Sequence, residues 1–363
     1  MKTKVLHVLG GMGRGGAPSF VINNLLRLNP EEIQFDFLVR KDNCAFHDEI
    51  ESRGGRIFIV APFPKNIWKN YKETKRVFQK YGEEYDAIHV HANALYYILP
   101  LLLAKKWRVK KIILHSHNTQ SNVGLMKPLH YLNKMFVSKL ANVFLACGEE
   151  AGHWMYGDRQ FEVINNAVDT QKFAYNEEFR KMIRSELGIS GDSCVIGNVG
   201  RFEEAKNHDF LIDVFSEYVK THPNSILLLL GEGTLMDTIK RKVDHLGISS
   251  QVIFAGVRSD VNKFYSAMDV MLMPSLFEGL PFVAIEAQCS GLKTILSTSV
   301  TDEAIVTDIC KSRSLKDSIH LWCSDIESIV DDKIQRESYS NVVKEYNYDI
   351  NYTANRLLEI YTE

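Results

Sequence analysis

The chain lacks a C-x-x-C pair, a strong excess of either charge and any apolar run long enough to span a bilayer. Its six cysteines, Cys44, Cys147, Cys194, Cys289, Cys310 and Cys323, are scattered, so reduced thiols in a cytosolic protein are the simplest reading and a disulfide framework is not expected. A formal net charge of -2 gives no overall attraction to nucleic acid or membrane. Any basic patch must therefore be local. The longest apolar run, Ala94 to Ala104, falls well short of the roughly 20 residues a membrane span requires. Met1-Lys2-Thr3-Lys4 leads into a short strand rather than a signal-peptide core, which predicts an untargeted, cytoplasmic start. No acidic cluster of the kind that holds a divalent cation is visible, and no metal is expected.

What is present is the material of two ordinary domains. The 363 residues contain 45% apolar and 24% charged positions, as in soluble globular proteins. Short apolar runs alternate with helical segments: Lys4–Leu9, Phe35–Val39, Ile57–Val60, Ala87–His91, Lys111–His115 and Val143–Cys147, then Cys194–Val199, Ser225–Leu230, Val252–Arg258, Asp269–Met273 and Leu292–Ser297. Alternation of this kind predicts two doubly wound parallel sheets with helices on both faces. The expected division is residues 1–170, 171–345 and a last segment, 346–363, that carries a helix over Tyr352 to Tyr361.

Parallel open sheets bind ligands beyond the C-terminal ends of their strands, and several candidate residues fall there. The first strand runs into Gly10-Gly11-Met12-Gly13-Arg14-Gly15-Gly16 and a helix from about Pro18 to Leu28. A glycine loop before a helix N-terminus lets backbone approach an anion closely. Gly11, Gly13 and Gly16 also satisfy G-x-G-x-x-G, which admits an NADP-linked oxidoreductase. A dinucleotide site ordinarily wants an acid at the end of the second strand, where the chain has Arg40-Lys41 instead; the NADP-linked reading rests on the glycine loop and Arg40. His89, His91, His115 and His117 are placed at strand ends, with His89 and His115 read as packed near the sheet edge. The histidines form H-x-H pairs, but neither carboxylate nor cysteine completes a compact metal set.

Two segments, 95–111 and 126–140, combine apolar and basic residues. Leu129, Leu132, Met135, Phe136 and Leu140 recur at helical spacing. The plainer reading is a core-facing helix with a solvated basic side; the alternative is a face that touches anionic lipid.

In the second half, Gly200-Arg201-Phe202-Glu203-Glu204-Ala205-Lys206-Asn207 follows a strand directly. Arg201 and Lys206 could clamp a diphosphate or join a surface ion-pair cluster with the intervening acids. The densest chemistry lies between Pro274 and Gly291. An apolar strand stops at Pro274, and Pro281 sits where a first helical residue tolerates losing its N–H. Gly291 sits where a helix stops. The helix between is almost wholly apolar, yet carries Glu286, a carboxylate that must meet a polar partner. Glu278 precedes the helix, and the free N–H groups near Leu280, Phe282 and Val283 favour an anion between the two acids. A nucleotide diphosphate with a sugar attached suits that combination.

The stretch P-S-L-F-E-G-L-P-F-V-A-I-E-A-Q-C-S-G resembles the E-x7-E signature of retaining GT-B glycosyltransferases of family 4. Gly-Gly-x-x-Arg-Gly-Gly-Ala at residues 10–17, the G-R-x-x-x-x-K-N element at Gly200 to Asn207, and Val163–Asp169, which is similar to the family's P-N-G-V-D turn, extend the resemblance over nearly the whole chain. It implies a GT-B fold, two Rossmann-like domains with an interdomain cleft and a last helix returning to the first domain. It implies transfer of a sugar from a nucleotide-diphosphate donor, a UDP-sugar being favoured, to a glycan or lipid-linked acceptor in surface or exopolysaccharide synthesis, without metal or other cofactor. Arg201, Lys206, Glu278 and His117 are the implied catalytic residues. Gly15, Gly16, Gly231, Gly233, Val257, Arg258, Gly279, Leu280, Pro281 and Glu286 are the implied donor-binding residues. A non-catalytic sugar-nucleotide-binding protein is the other reading. Peripheral attachment to the inner membrane face is the expectation drawn from the basic and apolar segments.

Overall fold

The computed structural model describes residues 2–13, 15–118, 126–330, 332 and 334–363. The chain divides into two compact units, Met1–Ala167 with Ile350–Glu363, and Val168–Asp349.

The first unit is built on a seven-stranded parallel sheet: β1 (Thr3–Leu9), β2 (Ile33–Val39), β3 (Ile57–Ile59), β4 (Ala87–Ala92), β5 (Lys111–Ser116), β6 (Val143–Ala146) and β7 (Glu162–Val163), in the order 3-2-1-4-5-6-7. Val5, Leu6, Val8 and Leu9 are all buried, because a parallel strand with helices on both faces has no solvent side. The helix after β1 spans Gly16–Leu25, beginning before the expected Pro18. A proline within the first helical turn removes no intrahelical bond, so it does not delay the start. The strand order puts β4 in the middle of the sheet. His89 is therefore a central, fully buried residue, registered against His7 of β1 and Ile113 of β5, and not a residue near the sheet edge.

The final helix, Ile350–Thr362, packs on this same unit. Its Tyr361 hydroxyl meets His89 Nδ1 at 2.6 Å, and Lys111 Nζ donates to the Ile360 carbonyl at 2.6 Å. Thr353 Oγ1 donates to Asn24 Oδ1 at 3.0 Å, and Arg356 Nε donates to Glu162 at 2.6 Å.

The second unit holds β8 (Cys194–Val199), β9 (Ser225–Leu230), β10 (Val252–Gly256), β11 (Val270–Met273), β12 (Lys293–Ser297) and β13 (Cys310–Arg313), all parallel, in the order 10-9-8-11-12-13. Its core gathers Ile196, Phe202, Phe215, Leu227, Leu272 and Trp322. Strand β13, Cys-Lys-Ser-Arg, carries no apolar signal. Two of its residues are held from the next helix instead, Lys311 and Arg313 donating to Asp325 at 2.8 and 2.6 Å. Among the described residues no helix is long and apolar enough to cross a membrane.

Candidate functional site

In the second unit the loops that follow β8, β9, β10 and β11 all emerge at the C-terminal edge of the sheet. The β8 loop carries Arg201 and Lys206. Lys206 Nζ donates to Glu278 Oε1, so these two predicted residues, 72 positions apart in sequence, touch. Arg201 is exposed, and among the described residues its guanidinium has no ion pair. The acids beside it do not neutralise Lys206: Glu203 instead accepts from Thr234 Oγ1 at 3.1 Å. Asn207 ends the loop with φ 53°, and its side-chain amide donates to the Pro274 carbonyl at 3.1 Å, tying the β8 loop to the β11 loop.

Gly231 and Gly233 hold φ values of 137° and 159°. A Cβ on Gly231 would collide with the Gly200 carbonyl, and one on Gly233 would run into the backbone of Phe202. Glycine here lets the β9 loop lie directly against the backbone that presents Arg201. Beyond β10, Val257 is exposed and Arg258 pairs with Asp260 at 3.0 Å and with Glu186 at 3.7 Å.

After β11, Glu278 and Gly279 precede a helix over Phe282–Cys289. Pro281 is its N-cap rather than its first helical residue, with an extended ψ of 120°; Leu280 and Pro281 are buried. The helix ends at Ser290, and Gly291 follows in the left-handed region at φ 59°, as a C-terminal stop requires. Glu286 finds a polar partner in the Tyr265 hydroxyl, which donates to its Oε2 at 2.8 Å. Burial raises the Glu286 carboxyl to about 7, opposed by the Tyr265 hydrogen bond and by Lys172. The half-buried acid thus sits poised between its two protonation states near neutral pH.

The first unit has its own cavity of about 340 Å³ at the ends of β1, β4 and β5, lined by Gly10, Gly16, Arg40, His91, Tyr97 and His117 among others. A Cβ on Gly15 or Gly16 would meet nothing within 4 Å. Glycine is not demanded there by the protein itself, and the open space leaves the helix N-terminus accessible to a ligand. Arg14 of this loop, and Thr119 after the second histidine pair, lie outside the described residues.

The four histidines are joined by a fifth that the sequence reading missed. His7 Nδ1 meets His91 Nε2 at 3.0 Å, His91 Nδ1 meets His117 Nε2 at 2.8 Å, and His89 Nε2 meets His115 Nδ1 at 3.1 Å. Burial pushes His7 and His117 down to about 3 and holds His89, His91 and His115 well below their ordinary range. All five are neutral at physiological pH. Two triads, His7 with His89 and His91, and His91 with His115 and His117, are close enough to converge on one ion. Among the described residues no carboxylate joins either triad. A hydrogen-bonded row of neutral rings accounts for the close pairs. His7 stands on β1, next to the central strand β4 and directly in register with His89.

A second residue outside the expected set is Arg40, at the end of β2. Its guanidinium lies 4.4 Å from the centre of the Tyr97 ring, and its Nε is buried without a hydrogen-bond partner. The signal was a base standing where a dinucleotide fold would place an acid.

In the segment at 126–140, the helix Lys127–Phe136 turns His130 and Asn133 inward and leaves Tyr131, Leu132, Met135 and Phe136 exposed. The reading in which its apolar spacing faces the core is thus overturned for these residues; polar side chains fill the inner face, with Asn133 Nδ2 donating to the Leu95 carbonyl at 2.6 Å.

Comparison with known proteins agrees with this architecture in both halves. Residues 14–172 match the model of Glycosyltransferase Family 4, and residues 179–345 match that of Glycosyl transferases group 1. A putative glycosyltransferase, EpsF of Bacillus subtilis, is 32% identical over 374 aligned positions covering 99% of this chain and 96% of the relative. The Escherichia coli UDP-Gal:alpha-D-GlcNAc-diphosphoundecaprenol alpha-1,3-galactosyltransferase is 26% identical, with 91% and 86% covered. Among solved structures, Anabaena Alr3699/HepE in complex with UDP superimposes with a TM-score of 0.80 at 17% identity, covering 99% of each chain. WaaG, a glycosyltransferase involved in lipopolysaccharide biosynthesis, gives 0.74 at 14% identity, again with 99% of each covered. With its two halves matched in order and a relative aligned along its whole length, the chain belongs to the family 4, group 1 glycosyltransferases and has their GT-B fold.

Proposed function

We propose that the protein is a retaining, metal-independent glycosyltransferase that draws on a nucleotide-diphosphate sugar, UDP-linked in preference, and delivers the sugar to a glycan or lipid-linked glycan during surface polysaccharide synthesis. The observation that carries this reading is the set of groups at the C-terminal edge of the second unit: an exposed Arg201 that makes no ion pair among the described residues, a Lys206 held beside Glu278, and a helix N-terminus after Gly279. As the glycosidic bond to the donor breaks, negative charge grows on the departing diphosphate, and fixed cations and N–H groups stabilise it without a bound ion. Glu286 accepts hydrogen bonds from the ribose hydroxyls. Gly231, Gly233, Val257 and Arg258 surround the base, and Gly15 and Gly16 offer backbone N–H groups to the diphosphate. Glu278 and His117 orient hydroxyls of the transferred sugar rather than forming a covalent bond to it. The preference for UDP draws support from the galactosyltransferase relative, whose name specifies a UDP-sugar, and from the HepE complex with UDP.

The test is a thermal-shift panel of UDP, GDP, their sugars and NADPH. A nucleotide at about a hundred times its Kd stabilises the folded state by about 2.7 kcal/mol. Stabilisation by UDP and UDP-sugars is the expected result; stabilisation by NADPH alone would reject the reading.

A second element of the proposal is attachment to an anionic membrane surface. It is favoured by the exposed Leu132, Met135 and Phe136 on a helix that begins at the exposed Lys127, with the exposed Lys139 just beyond its end. Apolar side chains beside lysines suit insertion at a negatively charged interface. An undecaprenol-linked acceptor, as named for the galactosyltransferase relative, would be met there.

A further inference from the structure

We infer that the cavity of the first unit receives an acceptor through an anionic group, a carboxylate or a phosphate, held by Arg40. The inference rests on the glycosyltransferase reading and specifies the acceptor's chemistry.

Its ground is a charge without a counter-charge. The cavity lining contains Arg40 and no aspartate or glutamate among the described residues. The histidines that share it, His91 and His117, are neutral, being held far below their ordinary range by burial. Arg40 makes no ion pair among the described residues, and its Nε is buried without a partner. A guanidinium drawn partly out of water in a concave site is costly unless something compensates it, and a planar fork matches a carboxylate or phosphate with two parallel hydrogen bonds.

The group is also held in place from behind, as a recognition residue must be. The guanidinium lies over the Tyr97 ring at 4.4 Å. The Tyr97 hydroxyl donates to Asn70 Oδ1 at 3.0 Å, and Asn70 Nδ2 donates to the Ala61 carbonyl at 2.6 Å. Stacking fixes the plane while leaving the N–H edge free. Gly10 keeps the neighbouring wall low, since a Cβ there would lie 3.4 Å from Arg40 Nη2. At about 340 Å³ the cavity lies at the lower end of the range for small-molecule pockets, the size of one sugar unit.

The bland alternative is a surface arginine stacked on an aromatic ring for packing alone. That account explains Tyr97 but leaves the acid-free lining and the unsatisfied Nε unexplained.

The experiment is calorimetric titration of the full chain with three probes: methyl glucuronide, glucose 1-phosphate and neutral methyl glucoside. Each is repeated in an Arg201→Ala/Lys206→Ala background, so that the cations of the second unit do not contribute. The expected result is at least tenfold tighter binding of one or both anionic probes than of the glucoside, with the advantage shrinking as salt is raised. Which anionic probe binds tighter identifies carboxylate or phosphate. Arg40→Gln should erase the advantage and Arg40→Lys should keep part of it. Equal binding of charged and neutral probes by the wild-type chain, or an anionic advantage that survives Arg40→Gln, overturns the inference. Because these titrations omit nucleotide, failure of UDP to bind would count against the donor reading alone.

Discussion

At the scale of single residues the proposed donor site turns on how each charge is held. Glu286 illustrates this most directly: it stands on an apolar helix, and its carboxyl is raised to about 7 with the Tyr265 hydroxyl as its partner. Only the ionised form accepts hydrogen bonds from two ribose hydroxyls at once. Donor KM should therefore fall as pH rises through about 7, and Glu286→Ala should raise KM while changing kcat little. Tyr265→Phe removes a bond that favours the carboxylate, so the midpoint of the KM profile should move to higher pH. The linkage sign follows the same shift: an acid raised in the folded state contributes stability below its unfolded value, near 4.3, that is lost as pH climbs through about 7. Melting temperatures of the ligand-free protein across that window, compared with Glu286→Gln, check this; a KM profile that is flat in the wild type would remove Glu286 from the ribose. The need of Glu286 for a polar partner was legible in the sequence, because an acid in an apolar helix demands one. That the partner is Tyr265 was not, since the hydroxyl comes from a helix 21 positions earlier with no local signal. The same holds for Lys206 and Glu278, each recognisable alone, whose contact depends on β8 and β11 being neighbours in the sheet.

At the scale of elements, strand alternation was easy to read and side-chain direction was not. The buried parallel strands appear as apolar runs because both faces are covered. Strand β13 escaped notice because its residues are held by Asp325 rather than by apolar packing. In the helix Lys127–Phe136 the helical spacing of apolar residues was correctly seen, but it marks the outer face. His130 and Asn133 occupy the inner face, and both are tied to the backbone of Leu95: His130 Nδ1 accepts from its N–H at 3.0 Å and Asn133 Nδ2 donates to its carbonyl at 2.6 Å. A spacing rule assumes that the apolar stripe is the buried one; a helix with a polar inner face breaks it. The exposed stripe leads to a direct expectation for membrane attachment. Vesicles containing half phosphatidylglycerol should retain the protein at low salt and release it as ionic strength rises. Met135→Asp should weaken that binding at least tenfold without lowering the melting temperature, because Met135 is 69% exposed. Failure of the wild-type protein to bind such vesicles at low salt would favour an acceptor met in solution.

At the scale of the whole molecule, the chain is two doubly wound units, each with its own core and its own set of strand-end loops. The second unit bears the groups assigned to the donor, and the first bears a cavity whose described lining holds no acid, beside a glycine loop and a row of neutral histidines. The last helix belongs to the first unit although it follows the second in sequence. Its stripe of apolar residues announced a packed helix; only its resemblance to a family indicated where it packs. The glycine loops, the two cations and the glutamate pair were all visible as motifs, since each needs particular residue types at a fixed spacing. Arg40 was visible as a base at the end of the second strand, but its place over Tyr97 in the cavity was not, and His7 was missed altogether, because these depend on the neighbours that strand order brings together. The claim on which the account depends is that fixed cations, rather than a metal ion, stabilise the leaving diphosphate. The measurement that bears on it most directly is UDP release from UDP-sugars in the presence of EDTA, by the wild-type chain and by the Arg201→Ala/Lys206→Ala variant. The account predicts undiminished release by the wild type in EDTA and a loss of at least about a hundredfold in kcat in the variant, the scale of removing one charge-stabilising donor. Near-normal turnover by the variant, or complete loss in EDTA restored by a divalent ion, would contradict it.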